Sequence, residues 1–204
     1  MGITEEAVAR AVEPRRARAE AEVGALVEAA LAVLGRSGVD GLTVAEVLEE
    51  AGLSTRAFYR HFRSKDELVL AIYERDAQAT RDRLVARLRS APGVRAALET
   101  WVDETLALAF DSRRARRTRP LLREGLRLRA EFPAQFAAIV AGVVEPLAEV
   151  LRGIPTPDPA RDAASIHAVT WAVVEEKLAG GALTREDARR HVLRFCLNAV
   201  GLAP

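Results

Sequence analysis

The chain has 204 residues, half of them apolar and 29% charged, with a formal net charge of +1. That is enough for one large domain or two small ones, and it excludes binding of nucleic acid through bulk charge, so any such attraction has to be local. One cysteine and three histidines exclude an intramolecular disulfide and the usual four-ligand zinc site, and no phosphate-binding glycine loop or paired metal motif implies a cofactor.

No apolar run reaches about 18 residues, and the first twenty residues are too charged for a signal peptide, so a cytoplasmic protein with no membrane contact is expected. Arginine outnumbers lysine 28 to 2. The codon usage of a GC-rich genome accounts for that ratio, so only an arginine's position carries functional weight.

Apolar residues recur at three and four positions in a background of alanine, leucine, valine, glutamate and arginine, which predicts an all-α chain. Residues 1–21 read as an N-terminal arm interrupted at Pro14-Arg15-Arg16-Ala17-Arg18, either a frayed, solvated tail or an arm reaching DNA phosphate or the minor groove. Helices are expected at about 20 to 37, 43 to 50, 54 to 61, 65 to 89, 93 to 110, 113 to 129, 132 to 152, 159 to 179 and 185 to 201, separated by glycine and proline clusters. Thr43, Ser64 and Thr184 each open a box in which a hydroxyl caps helix amides and a carboxylate three residues on answers back; Asp158-Pro159 marks a further start. The first three helices are shorter in total than the six that follow. A three-helix unit over residues 22–68 therefore precedes a larger bundle over 69–204, with the joint inside the helix that begins near Lys65.

Between Thr43 and Phe62 the chain reads TVAEVLEEAGLSTRAFYRHF, a capped helix, a glycine turn and a second short helix, which is the helix-turn-helix signature. At 100° per residue, Phe58 and Phe62 lie about 40° apart beside Ser54 and form the inward face. The opposite arc carries Thr55, Tyr59, Arg63, Arg56 and Arg60, the hydroxyls and guanidinium groups that a major-groove reader requires. Arg56 leads as a base reader because a guanidinium can bond the O6 and N7 of guanine, and Thr55, Ala57 and Arg60 follow, the small groups suiting a thymine methyl. Tyr59, Lys65 and Thr43 suit phosphate contacts. The wheel angle of His61 admits a packed ring or a phosphate contact.

The stretch LTVAEVLEEAGLSTRAFYRHFRSKDELVLAI, with Gly38 and Gly41 before it, resembles the DNA-binding region of TetR-family transcriptional regulators over about residues 22–75. The resemblance rests on Ala51-Gly52-Leu53-Ser54, Phe58-Tyr59, His61-Phe62 and Ser64-Lys65-Asp66-Glu67-Leu68. It implies phosphate contacts for Tyr59 and Lys65 and places His61 near DNA; Ser54, at the start of the same helix, is also counted among the expected DNA-binding residues. Two positions depart from the family pattern: Arg56 stands where many members have glycine, and Arg60 where a second aromatic often follows the tyrosine.

For residues 76–204 the resemblance implies a ligand-binding and dimerisation domain whose last two long helices form a four-helix interface across a twofold axis. Ile166, Val169, Thr170, Val173, Val192, Phe195, Cys196 and Ala199 form stripes of helical spacing there, and periodicity does not distinguish an interface from an intramolecular core. Trp101, Thr105, Phe110, Leu122, Phe132, Phe136, His167 and Trp171 are candidate pocket residues, bulky or polar groups within apolar stretches. The run Ser112 to Arg119, SRRARRTR, reads as a solvated face or an attractor of an anionic ligand.

The function so implied is a homodimeric repressor that binds a palindromic double-stranded DNA operator and is released by a small-molecule effector. A ligand-independent or activating regulator and a helical protein-interaction adaptor are the alternatives. An enzyme is disfavoured, since His191 and Cys196, five apart on one helix, do not make a nucleophile and base pair.

Overall fold

The computed structural model describes residues 2–38 and 41–202. Among them the chain forms nine α-helices: α1 (Ile3–Ser37), α2 (Val44–Ala51), α3 (Thr55–His61), α4 (Lys65–Arg89), α5 (Val94–Phe110), α6 (Ser112–Glu131), α7 (Pro133–Leu151), α8 (Pro159–Leu178) and α9 (Arg185–Ala199). The chain divides into two compact units, Met1–Ile72 and Tyr73–Pro204, so α4 supplies residues to both.

The expected arm is a correction. The first helix begins at Ile3 and runs through Pro14, although proline removes one helix hydrogen bond and crowds the preceding turn. Alanine, glutamate and arginine on both sides are strong helix formers, and the pairs Arg16–Glu20 at 2.8 Å and Arg18–Glu22 at 3.0 Å add support at four-residue spacing. The solvated part of the expectation stands for Val8 and Val12, which are exposed.

In the N-terminal unit, Leu26, Ala30 and Val33 of α1, Val47 of α2, Phe58 of α3, Phe62 just after it, and Leu68 and Ile72 of α4 are buried. The Phe58 and Phe62 ring centroids lie 5.8 Å apart. α2 opens on the expected box: Thr43 Oγ1 accepts from the Glu46 amide at 3.2 Å and the Glu46 carboxylate accepts from the Thr43 amide at 3.1 Å. It closes on Gly52 at φ +64°, ψ 29°, the left-handed conformation that glycine takes without a Cβ penalty. The Leu53 amide then donates to the Leu48 carbonyl at 3.1 Å, and Ser54 caps α3 through a bond from the Ala57 amide at 3.2 Å. The turn thereby satisfies the helix ends on both sides.

The second unit is built around α5, whose Leu98, Trp101, Val102 and Leu106 are buried among Leu147 and Leu151 of α7, Ile166 and Val174 of α8 and Val192 and Cys196 of α9. Glu104, buried on α5, pairs with Arg87 of α4 at 2.8 Å and Arg114 of α6 at 2.9 Å. Two guanidinium partners compensate the desolvation of one carboxylate. Asp111 caps α6, accepting from the Arg113 and Arg114 amides at 3.0 and 2.9 Å. α7 is long and apolar enough to cross a bilayer by length and composition. Here Val144, Leu147, Ala148 and Leu151 face the core, while Glu145 and Glu149 pair with Arg152, the pattern of a bundle helix.

Two substitutions separate packing from backbone geometry in the N-terminal unit. Phe58→Ala is expected to lower its unfolding free energy by about 3–5 kcal/mol. Gly52→Ala should cost about 1–2 kcal/mol through its positive φ alone, since a Cβ there meets open space. Urea unfolding midpoints check both.

Candidate nucleic-acid interface and ligand region

The turn and the Ser54 cap orient a seven-residue helix, and the buried Phe58 fixes which side of it faces out. Thr55, Arg56 and Tyr59 are exposed, Tyr59 at 60% of its surface, and the Tyr59 ring stands edge-on to Phe58 with centroids 5.2 Å apart. The Arg56 and Lys65 side chains make no ion pair among the described residues. Thr43 and Ser54 are also exposed, each at the start of its helix. These are hydroxyls and cations of the kind expected at a DNA surface.

Three of the expected DNA contacts are placed otherwise. Ala57 is only 6% exposed and belongs to the packed side of α3, because its position on the wheel lies about 40° from His61 and about 60° from Ser54, on the flank of the inward arc. Arg60 and His61 are both held by Glu22 of α1. One Glu22 oxygen, Oε2, accepts from the Arg60 guanidinium and meets His61 Nε2 at 2.8 Å, while Oε1 accepts from Arg18 Nε at 3.0 Å. The ambiguity of His61 is thereby resolved as a packed ring with a bonded nitrogen: its side chain is 10% exposed and that of Glu22 is 11% exposed. Hydrogen bonds from His61, Arg60 and Arg18 pull the Glu22 carboxyl down to about 2. Glu22 carries no motif that marks it; its spacing from Arg18 is visible in the sequence, but its partners on α3 lie 38 and 39 residues away.

In the second unit, of the eight pocket candidates, Trp101 lies in the main core, with Phe110, Leu122 and Trp171 packed against it. Trp101, His167 and Trp171 come together, with ring centroids 5.9 Å apart for the first pair and 5.8 Å for the second. Trp101 Nε1 and His167 Nδ1 are buried without a protein hydrogen-bond partner, and burial lowers the His167 pKa to about 4, which keeps the ring neutral. Thr105, one turn beyond Trp101, donates to the Trp101 carbonyl at 2.9 Å. Phe110 and Leu122 are partly buried against the main core, and Phe110 lies under the Lys177 ammonium at 5.3 Å. Phe136 packs on Tyr73 at 5.6 Å, and Phe132 sits at the junction of α6 and α7. A separate cleft of about 640 Å³ between α4 and α7, lined by Arg81, Asp82, Arg89, Glu145 and Glu149, includes none of the eight.

The expected interface stripe is also corrected. Ile166, Thr170, Val192 and Cys196 are buried within the unit itself, Val169 and Val173 are half-buried, and only Phe195, at 54%, and Ala199 are exposed. The spacing identified the inward stripe of each helix, because core and interface leave the same period. Burial pushes the Cys196 thiol up to about 11, which makes it unreactive.

A capped helix-turn-helix with an outward cationic face is the arrangement of a DNA-binding unit. Residues 26–72 match the family described as bacterial regulatory proteins, tetR family. Over 129 residues the chain is 35% identical to the HTH-type transcriptional regulator CymR of Pseudomonas putida, a stretch covering 57% of this chain and 63% of that protein. A transcriptional regulator from Rhodococcus sp. Rha1 shares 26% identity at a TM-score of 0.62, covering 87% of this chain and 95% of that one. The regulator FadR of Bacillus subtilis, solved in complex with stearoyl-CoA, shares the fold at a TM-score of 0.65 and 16% identity, covering 88% of this chain and 98% of that one. The chain spans between 43% and 63% of the length of the curated relatives it matches. Its residues 26–72 are a region of the tetR family, and the chain shares its fold with transcriptional regulators.

The two shifted groups predict two separate pH windows. Glu22 has a folded pKa below its ordinary 4.5, so its pairing stabilises the fold above that value and the contribution is lost as the pH falls toward about 2. His167 is lowered from 6.5 to about 4; protonation favours the unfolded chain, so stability falls as the pH drops from 6.5 toward 4. In melting temperatures measured against pH, Glu22→Gln is expected to flatten the lower window and His167→Gln the upper one.

Proposed function

We propose that this chain is a homodimeric repressor that presents one α3 to each half of a palindromic operator and is released by a small-molecule effector. The observation that carries this reading is the outward face of α3, where Thr55, Arg56 and Tyr59 are exposed after a glycine turn and Arg56 has no ion pair among the described residues. Arg56 reads a base edge, while Tyr59, Lys65, Thr43 and Ser54 hold phosphates and set the register. Half-sites lie about one helical turn, or a multiple, apart. The site of action is the cytoplasm.

Dimerisation uses the outward faces of α8 and α9. Phe195 and Ala199 are exposed on α9, and Ala164, Ala168 and Ala172 are exposed at four-residue spacing on α8. Small side chains permit close helix approach, and one large exposed ring supplies apolar area near the centre of such a contact.

The effector meets Trp101, His167 and Trp171. Two buried polar atoms without protein partners, each costing about 1–3 kcal/mol while unsatisfied, favour an occupant that bonds them, and a neutral imidazole between indoles favours a flat, uncharged one. The effector acts through differential affinity for two conformations. α4 belongs to both units and is the element able to carry the change.

Selection from random duplex DNA at near-physiological salt is expected to enrich a palindrome; enrichment of none would sink the regulator reading. Against the enriched duplex, Arg56→Ala should relax preference at one base position by about 1–3 kcal/mol, whereas Lys65→Ala should weaken all sequences alike and lower the salt slope by about one. Phe195→Glu should shift the sedimenting species from dimer to monomer and leave the helical circular dichroism unchanged.

A further inference from the structure

We propose that Glu22 is a positioning residue for DNA recognition: it neutralises Arg60 and anchors the last turn of α3 to α1, so that Arg56 leads the reading and non-specific phosphate binding is held down. The proposal rests on α3 being the DNA reader. An exposed ion pair ordinarily contributes little, and Arg16–Glu20 is such a pair. Glu22 differs in geometry. Its carboxylate is engaged by three groups, Arg18 on its own helix and Arg60 and His61 on α3, and both it and His61 are nearly buried.

The charge on α3 is partitioned by this contact. Arg56 and Arg60 differ by one helical turn, and only Arg60 is bonded to a carboxylate. For a phosphate to capture Arg60, the guanidinium has to leave Glu22, and the carboxylate left behind is still held in place by His61 and Arg18. The exchange forfeits the Arg60–Glu22 pair and leaves near the DNA backbone a carboxylate with one cation fewer, and both effects oppose it. Arg60 is therefore withheld from the backbone, and sequence-independent affinity, which scales with the number of phosphates neutralised, is one contact lower than the cation count suggests.

The test uses the full chain with a random-sequence duplex and with the enriched duplex, comparing wild type, Glu22→Gln, Arg60→Ala and the double variant. Glutamine keeps the size of Glu22 and removes its charge. Glu22→Gln is expected to tighten random-duplex binding about fivefold at near-physiological salt and to steepen the slope of log affinity against log salt by about 0.9, the value of one added phosphate contact. The enriched duplex gains less, so the specificity ratio falls. Arg60→Ala alone leaves the slope in place, and adding it to Glu22→Gln removes the gain, the non-additivity that marks a coupled pair.

A folded Glu22→Gln protein with unchanged random-duplex affinity and slope overturns the proposal. So does a slope lowered by about one in Arg60→Ala alone, which needs no variant at Glu22. If the wild type enriches no duplex, the assignment of α3 as reader fails, and this inference fails with it; if it enriches one and the Glu22 variant behaves as wild type, only the inference fails.

Discussion

A helix of seven residues does not stand alone in water, because nucleating the first turn costs more than so few hydrogen bonds return. α3 exists because Phe58 is completely buried and Phe62 nearly so, and the rest of the reading surface depends on that anchoring. Burial of one side determines which residues are displayed on the other. The Gly52 turn brings the chain to the packing site, and the Ser54 cap supplies the first turn with a partner it cannot make for itself. The outward positions are then free of structural duty, and that freedom allows Thr55, Arg56 and Tyr59 to be selected for contact with another molecule.

Much of this was legible in the sequence, because its signals are local. The caps at Thr43, Asp158 and Thr184, the glycine between α2 and α3 and the three- and four-residue spacing locate α2 to α9 within about two residues. The start of α1 was not legible, since Pro14 among arginines reads as a break while the helix-forming residues around it carry the helix through. Long-range pairing was hidden for a different reason. A helical wheel ranks residues by angle and contains no neighbouring helix, so it put Arg60 among the free cations and could not see Glu22 beneath it. The same limit misassigned Ile166, Thr170, Val192 and Cys196, where a stripe was found and its direction was not.

The second unit handles polarity differently from the first. Where a charge is buried it is compensated from two sides, as Glu104 is by Arg87 and Arg114, and these pairs tie α5 to α4 and α6. The centre formed by Trp101, His167 and Trp171 holds no ion pair; its polar atoms are neutral and two of them lack protein partners. A protein selected for stability alone would place apolar groups there at lower cost. Two unpartnered polar atoms at one centre are therefore the feature on which the proposed effector site rests.

Twenty-eight arginines against two lysines make exposure of an arginine a poor guide to function. Arg116 and Arg119 on α6 are exposed, as Arg56 is, yet they lie on a long helix on which Arg114 and Arg117 are engaged with Glu104 and Asp76. What distinguishes Arg56 is its setting: a short helix ending a glycine turn, apolar residues beneath it, hydroxyls beside it and no carboxylate bonded to it. Arg60 shares the helix and the exposed arc but not the last condition. On the proposed reading, in a chain with cations almost everywhere, the carboxylate bonded to Arg60 decides which positive charges of α3 are available to DNA.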